Sequence, residues 1–216
     1  MVCFYTLLSS EARLAWVGVA AYLFFLAVSI IVMKLKGYDK VVLTDWHRCS
    51  SWVVAAVTRE LLPTELVLVV PAMNPAEPGE EAVIPVAKMG ENPEASDMDY
   101  EVTEDADKVY LKYFSKKDPN NAHSLDIALV DQITVPELPA GKPVYLYGVA
   151  TNPNILPIAY RYMQTAPAVW MMFNVEDGFT CAYSREGAQL GDYEEDTKFR
   201  FWAPENRPKH PDPNHF

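Results

Sequence analysis

The stretch from Leu14 to Met33, LAWVGVAAYLFFLAVSIIVM, holds 20 residues without a charged side chain, with Arg13 before it and Lys34 and Lys36 after it. A helix rises ~1.5 Å per residue, so this run matches a hydrocarbon core of ~30 Å. We read a transmembrane helix over 14–36, preceded by a short N-terminal segment 1–13. The remainder is too polar to join it in the bilayer. A cleaved signal peptide has a shorter apolar core and small residues at its cut. Here the run is long and continues into Lys-Leu-Lys, which predicts a permanent single span.

The flanking charges suggest an orientation. Lys34, Lys36, Lys40 and Arg48 follow the span, against Arg13 alone before it. The positive-inside rule then puts the larger part of the chain on the cytoplasmic side, or on the matrix side of a mitochondrial inner membrane. Trp16 and Tyr38 can mark the two interfaces. Within the span, Gly18, Ala21 and Ser29 are small, and Tyr22 carries a hydroxyl that hydrocarbon cannot satisfy. Two readings stand: a lone anchor with Tyr22 leaning toward an interface, or a helix packed on other helices through these four residues.

Beyond residue 40 the chain is strongly acidic, with 14 Lys/Arg against 27 Asp/Glu. Such a surface repels nucleic acid and anionic headgroups and attracts basic proteins or cations. Cys3, Cys49 and Cys181 form neither a disulfide framework nor a zinc spacing, and suit a reducing compartment. The absence of any Asn-x-Ser/Thr mildly disfavours a lumenal face.

Residues 44–62 show helical spacing that stops at Pro63, with Trp46, Cys49, Val53, Ala56, Val57 and Leu61 as the predicted buried face. From Leu66 the period becomes extended. Strands are predicted over 66–70, 82–88, 108–114, 124–135, 142–150, 169–175, 179–184 and 197–202, each bounded by Pro, Gly, Asn or Asp. On the third, Val109, Leu111 and Tyr113 share a face; on the fifth, Val144 and Leu146 oppose Tyr145 and Tyr147. The best hairpin joins 169–175 to 179–184 through Glu176-Asp177-Gly178, with Gly178 free to take a positive φ.

The expected fold class is thus a single N-terminal transmembrane helix plus a mainly-β soluble domain over 63–202, a sandwich or open barrel, with one flanking helix. Inside it, residues 71–107 hold 11 acidic residues and one lysine, and are read as a Pro-rich surface excursion ordered by a partner. Residues 203–216 contain four prolines and predict an extended tail that a neighbouring subunit clasps.

Candidate chemistry is sparse. Asp45 and Cys49 share a helix face from which His47 points away, so the three do not converge on a metal. Cys181 lacks the following His and Met of a cupredoxin copper site. His123, Ser124 and Asp126 have the residue types of a hydrolase triad, but their adjacency does not assemble one. Asp192, Glu194, Glu195 and Asp196 lack a recognised cation-loop spacing and read as a solvated acidic turn. No phosphate loop, nucleophile elbow, CxxC or HExxH occurs, and no cofactor is implied. The remaining surplus is aromatic: Tyr145, Tyr147, Tyr160, Tyr162, Trp170 and Trp202, joined by His210 and Phe216 of the tail as interface candidates.

In layout, one helix with a small appended domain, the chain resembles the supernumerary subunits of mitochondrial inner-membrane respiratory complexes. The resemblance implies a non-catalytic accessory role in assembly, stability or subunit contacts, with other membrane subunits and the lipid bilayer as partners. The alternative is a membrane-tethered β-domain, a binding module or enzyme, whose acidic surface captures a basic protein such as cytochrome c. That case needs the domain in the intermembrane space, against the orientation read from the charges.

Overall fold

A computed structural model describes residues 39–44, 50–62, 65–70, 79–91, 96–121, 126–172, 178–185 and 187–196. In chain order the elements are β1 (Lys40–Leu43), α1 (Ser51–Arg59), β2 (Glu65–Val70), β3 (Glu80–Ile84), β4 (Lys88–Met89), β5 (Met98–Glu104) and β6 (Val109–Ser115). A 3-10 helix (Ile127–Gln132) follows, then β7 (Thr134–Val135), β8 (Val144–Gly148), α2 (Asn152–Thr165), β9 (Ala168–Met172), β10 (Gly178–Ser184) and β11 (Tyr193–Glu195). The expected span over 14–36 and the tail over 203–216 lie outside these residues. Among the described residues no helix is long and apolar enough to cross a membrane.

The domain is mainly β with two α-helices, and where a sandwich or open barrel was expected the described strands lie in open sheets that mix parallel and antiparallel pairs. Strands β11-β10-β9-β8-β6-β5 form one open mixed sheet, beside a three-stranded sheet β1-β2-β3 and a two-stranded ladder β4-β7. The pairs β1/β2, β6/β8 and β8/β9 are parallel. Parallel neighbours need a crossover, and two of the three crossovers are helical. The chain therefore contains two strand–helix–strand units, β1-α1-β2 and β8-α2-β9.

α2 was not legible as a helix because NPNILPIAYRYMQT carries Pro153 and Pro157, which read as turn residues. Pro153 lies in the first turn, where a backbone N–H has no intrahelical partner to lose. Pro157 sits further inside and removes one helical hydrogen bond. Burial outweighs that loss: Ile155, Leu156, Ile158, Ala159, Tyr160, Tyr162 and Met163 are all buried. The two helices meet through Thr58 Oγ1 with the Tyr160 hydroxyl, and Ser51 Oγ donating to Asn152 Oδ1.

Inside the expected helix 44–62, α1 covers Ser51–Arg59, while 45–49 lie outside the described residues. Its buried face is Val54, Ala55 and Thr58, with Leu61 just beyond, rotated from the Val53, Ala56 and Val57 face that was predicted. Thr58 explains the shift. Its hydroxyl donates to Val54 O at 2.5 Å and meets Tyr160, so a polar side chain belongs to the buried stripe.

The predicted strand over 124–135 is instead mostly the 3-10 helix, capped by Asp126 Oδ1 accepting from Ala128 N at 2.9 Å. Among its described residues only Thr134 and Val135 form a strand, paired with Lys88 and Met89. The acidic excursion over 71–107 is also corrected where described: it builds β3, β4 and β5. Its carboxylates meet lysines outside the excursion, Glu81 with Lys40 at 3.3 Å, Asp97 with Lys117 at 2.6 Å, Glu101 with Lys112 at 2.9 Å and Glu104 with Lys142 at 2.6 Å. Local composition showed the repulsion and not these counter-charges.

The larger core fills the space between one face of the six-stranded sheet and a layer of α1, α2 and the three-stranded sheet. Leu111, Val144, Leu146, Val169 and Met171 meet Leu66, Leu68, Val54, Leu156 and Ile158 there. At the end of β8, Gly148 has φ +144°, and a Cβ would fall 1.9 Å from the Tyr113 carbonyl oxygen. That close backbone approach is where the chain leaves the sheet for α2.

Candidate functional site

Strand alternation sends the even-numbered aromatic residues of β6 and the odd-numbered ones of β8 to the opposite face of the large sheet. Tyr110, Tyr145, Trp170, Met172, Phe179 and Cys181 cluster there, with Tyr147 packed at the margin. Tyr145 stacks on Trp170 with ring centroids 5.6 Å apart and planes 1° from parallel. Phe179 meets Tyr145 edge-on at 5.0 Å, and Tyr110 lies 5.1 Å from Tyr145. Such contacts contribute about 0.5–1.5 kcal/mol each beyond burial.

The edge strand β11 closes over this cluster by charge. The Tyr145 hydroxyl donates to Glu194 Oε2 at 2.7 Å, and the Tyr110 hydroxyl donates to Asp196 Oδ2 at 2.8 Å. Lys108 Nζ pairs with Glu194 and lies 4.9 Å from the Tyr145 ring centroid. Residues 194 and 196 are two apart, so one face of the strand carries both carboxylates to the phenols. The expected solvated acidic turn is therefore divided: Glu194 and Asp196 clamp the sheet, while the Asp192 carboxylate caps Gln189 N at 2.8 Å.

Gly178 opens β10 opposite Glu195. Its use is not the positive φ expected of a hairpin turn. A Cβ there would lie 2.3 Å from the Glu194 carbonyl oxygen and 2.6 Å from the Tyr193 hydroxyl, so glycine permits β11 to approach. The hairpin pairing of β9 with β10 is as predicted, while the turn over 173–177 lies outside the described residues.

Burial, reinforced by the bonded carboxylates, pushes the Tyr110 and Tyr145 phenols well above the ordinary phenol range. Both stay protonated donors. Burial also pushes the Cys181 thiol to about 11, against a weaker opposing hydrogen bond from Tyr183. A thiol so placed is not a nucleophile near neutral pH. The arrangement holds strands together.

The other interface candidates separate. Tyr160 and Tyr162 are buried in α2, the latter donating to Pro136 O at 2.8 Å. Trp202, His210 and Phe216 lie outside the described residues, as do Gly18, Ala21, Tyr22 and Ser29. So do Asp45, His47 and Cys49, and His123 and Ser124, whose neighbour Asp126 serves as a helix cap. Among the described residues no three His, Cys, Asp or Glu side chains gather as metal ligands would.

One concavity was not legible in the sequence. A groove of about 470 Å³ is lined by Gly90, Glu91, Asp99, Tyr100, Val102, Pro136 and Glu137. It lies between β5 and the end of the β4-β7 ladder, and three separate stretches of the chain build it. The only local trace is the alternation in MDYEVTE, which places Met98, Tyr100 and Val102 on one face.

Compared with known proteins, the chain matches no family model, no curated protein and no solved structure.

Proposed function

We propose that this chain is a non-catalytic accessory subunit of a multi-subunit membrane protein complex, acting in assembly, stability or subunit contacts. A mitochondrial respiratory-chain complex is the setting its layout suggests. On this reading Leu14–Met33 spans the inner membrane as one helix among several, packed through Gly18, Ala21, Tyr22 and Ser29. The mainly-β domain stands on the matrix side, where Lys34, Lys36 and Lys40 direct it.

The observation that carries the reading is the 20-residue uncharged run set within seven residues of a folded domain. How that domain spends its reactive groups is consistent with it. Tyr110, Tyr145, Lys108, Glu194 and Asp196 are bonded to one another, and Thr58 to Tyr160, in roles that tie elements together.

Native electrophoresis of mildly solubilised membranes tests it. Comigration of the chain with a large complex is the expected result; migration as a monomer would end the subunit reading. Protease protection in sealed membranes checks the matrix-side orientation.

A further inference from the structure

We propose that the groove beside β5 receives an extended basic segment of a partner protein, which adds to the open half of that edge strand and sets its cations against Glu91, Asp99 and Glu137.

The strand edge supplies the first half of the argument. Lys116 N donates to Asp97 O at 2.8 Å and Asp105 N to Lys108 O at 2.9 Å, beyond the two ends of the β5/β6 register. In an antiparallel pair the bonded positions alternate, so the odd residues 97 to 105 bond to β6. Met98, Tyr100, Val102 and Glu104 therefore aim their N–H and C=O groups away from the sheet. Two of these N–H groups are already occupied. Met98 N donates to Ser96 Oγ at 3.2 Å, and Tyr100 N to Asp99 Oδ1 at 2.9 Å. Proteins blunt edge strands by such local devices, and here the device covers only the first half. Among the described residues nothing pairs with the outward backbone groups of Val102 and Glu104.

Charge supplies the second half. The other carboxylates of β5 and its approach each have a lysine: Asp97 has Lys117, Glu101 has Lys112 and Glu104 has Lys142. Among the described residues Glu91, Asp99 and Glu137, all lining the groove, have no cationic partner. An acidic lining alone would not name a ligand. An open strand edge beside it does, because main-chain pairing selects an extended peptide and the flanking pockets select its side chains. Val102, 47 % exposed, belongs to both the edge and the groove. The volume suits a few side chains.

The inference deepens the subunit reading by giving one contact its chemistry. The test uses the full chain in detergent, so its outcome and that of native electrophoresis are separable. A fluorescent eight-residue peptide of alternating Arg and Val is titrated and followed by anisotropy. Saturable binding is expected, weakened at least tenfold in the Glu91→Gln/Asp99→Asn/Glu137→Gln variant. A control variant with the same charge change on other exposed residues, Glu65→Gln/Glu80→Gln/Glu195→Gln, should weaken it less than threefold. Val102→Pro removes one outward N–H and should also weaken binding at least tenfold, proline being tolerated on the open side of an edge strand. Should that variant unfold, the carboxylate pair of variants still decides. Non-saturable binding, equal loss in both triple variants, or a folded Val102→Pro that binds as the parent does would each overturn the proposal.

Discussion

On β6 and β8, Leu111, Tyr113, Val144 and Leu146 point toward the helices, while Tyr110, Tyr145 and Tyr147 point the other way. The first set meets a broad layer of aliphatic side chains from α1, α2 and the three-stranded sheet. The second is an aromatic cluster, closed in part by a three-residue strand that two phenols and a lysine hold. One face is maintained by area, spread over many residues. The other also depends on a few directed bonds, so the two should fail differently.

The largest effect is expected from Leu146→Ala. Its side chain is fully buried against the helix layer, and the truncation should cost about 3 kcal/mol of global stability. Denaturant unfolding of the full chain measures it. A loss below about 1 kcal/mol would mean that this face can collapse around a cavity and is not the rigid one.

Tyr145→Phe should cost less, about 1–2 kcal/mol, because Glu194 keeps Lys108 when the phenol is gone. Its distinguishing mark is local. Amide exchange in β11 should quicken well before the β6/β8 amides are affected. Uniform acceleration across the sheet would erase the proposed difference between the faces.

A last effect, not tied to one substitution, is a loss of stability at alkaline pH. Burial raises the phenols of Tyr110, Tyr145, Tyr160 and Tyr162 and the thiol of Cys181 in the folded chain. Above their ordinary values the unfolded chain releases protons that the folded chain retains. The contribution is therefore whole at lower pH and declines as pH rises through the folded value. For Cys181 the window runs from 9.0 to about 11, and for the phenols it opens at 10.0, overlapping it. The denaturant midpoint should fall across that window.

Much of the large sheet was legible. Alternation in VYLKYF and VYLYG assigned both faces of β6 and β8 correctly, because a half-buried strand leaves its period in the residues themselves. The short β1 and the acidic β5 and β11 were not anticipated. Each owes its place to neighbours, β1 to parallel pairing with β2 and β5 to the lysines of more distant segments. Of the site, the aromatic residues Tyr145 and Trp170 were picked out by type, but their partners Glu194 and Lys108 were not, since nothing local links positions so far apart.

By itself the sequence determined the run Leu14–Met33, the acidic balance beyond it and the strand character of the central segments, because length, charge and period are properties of neighbouring residues. Only the tertiary structure decided that the prolines of NPNILPIAYRYMQT lie in a helix, that lysines answer the acidic strands, and that residues 90, 99 and 137 share a groove. Those outcomes depend on burial and counter-charge from elements distant in the chain, which no local pattern records.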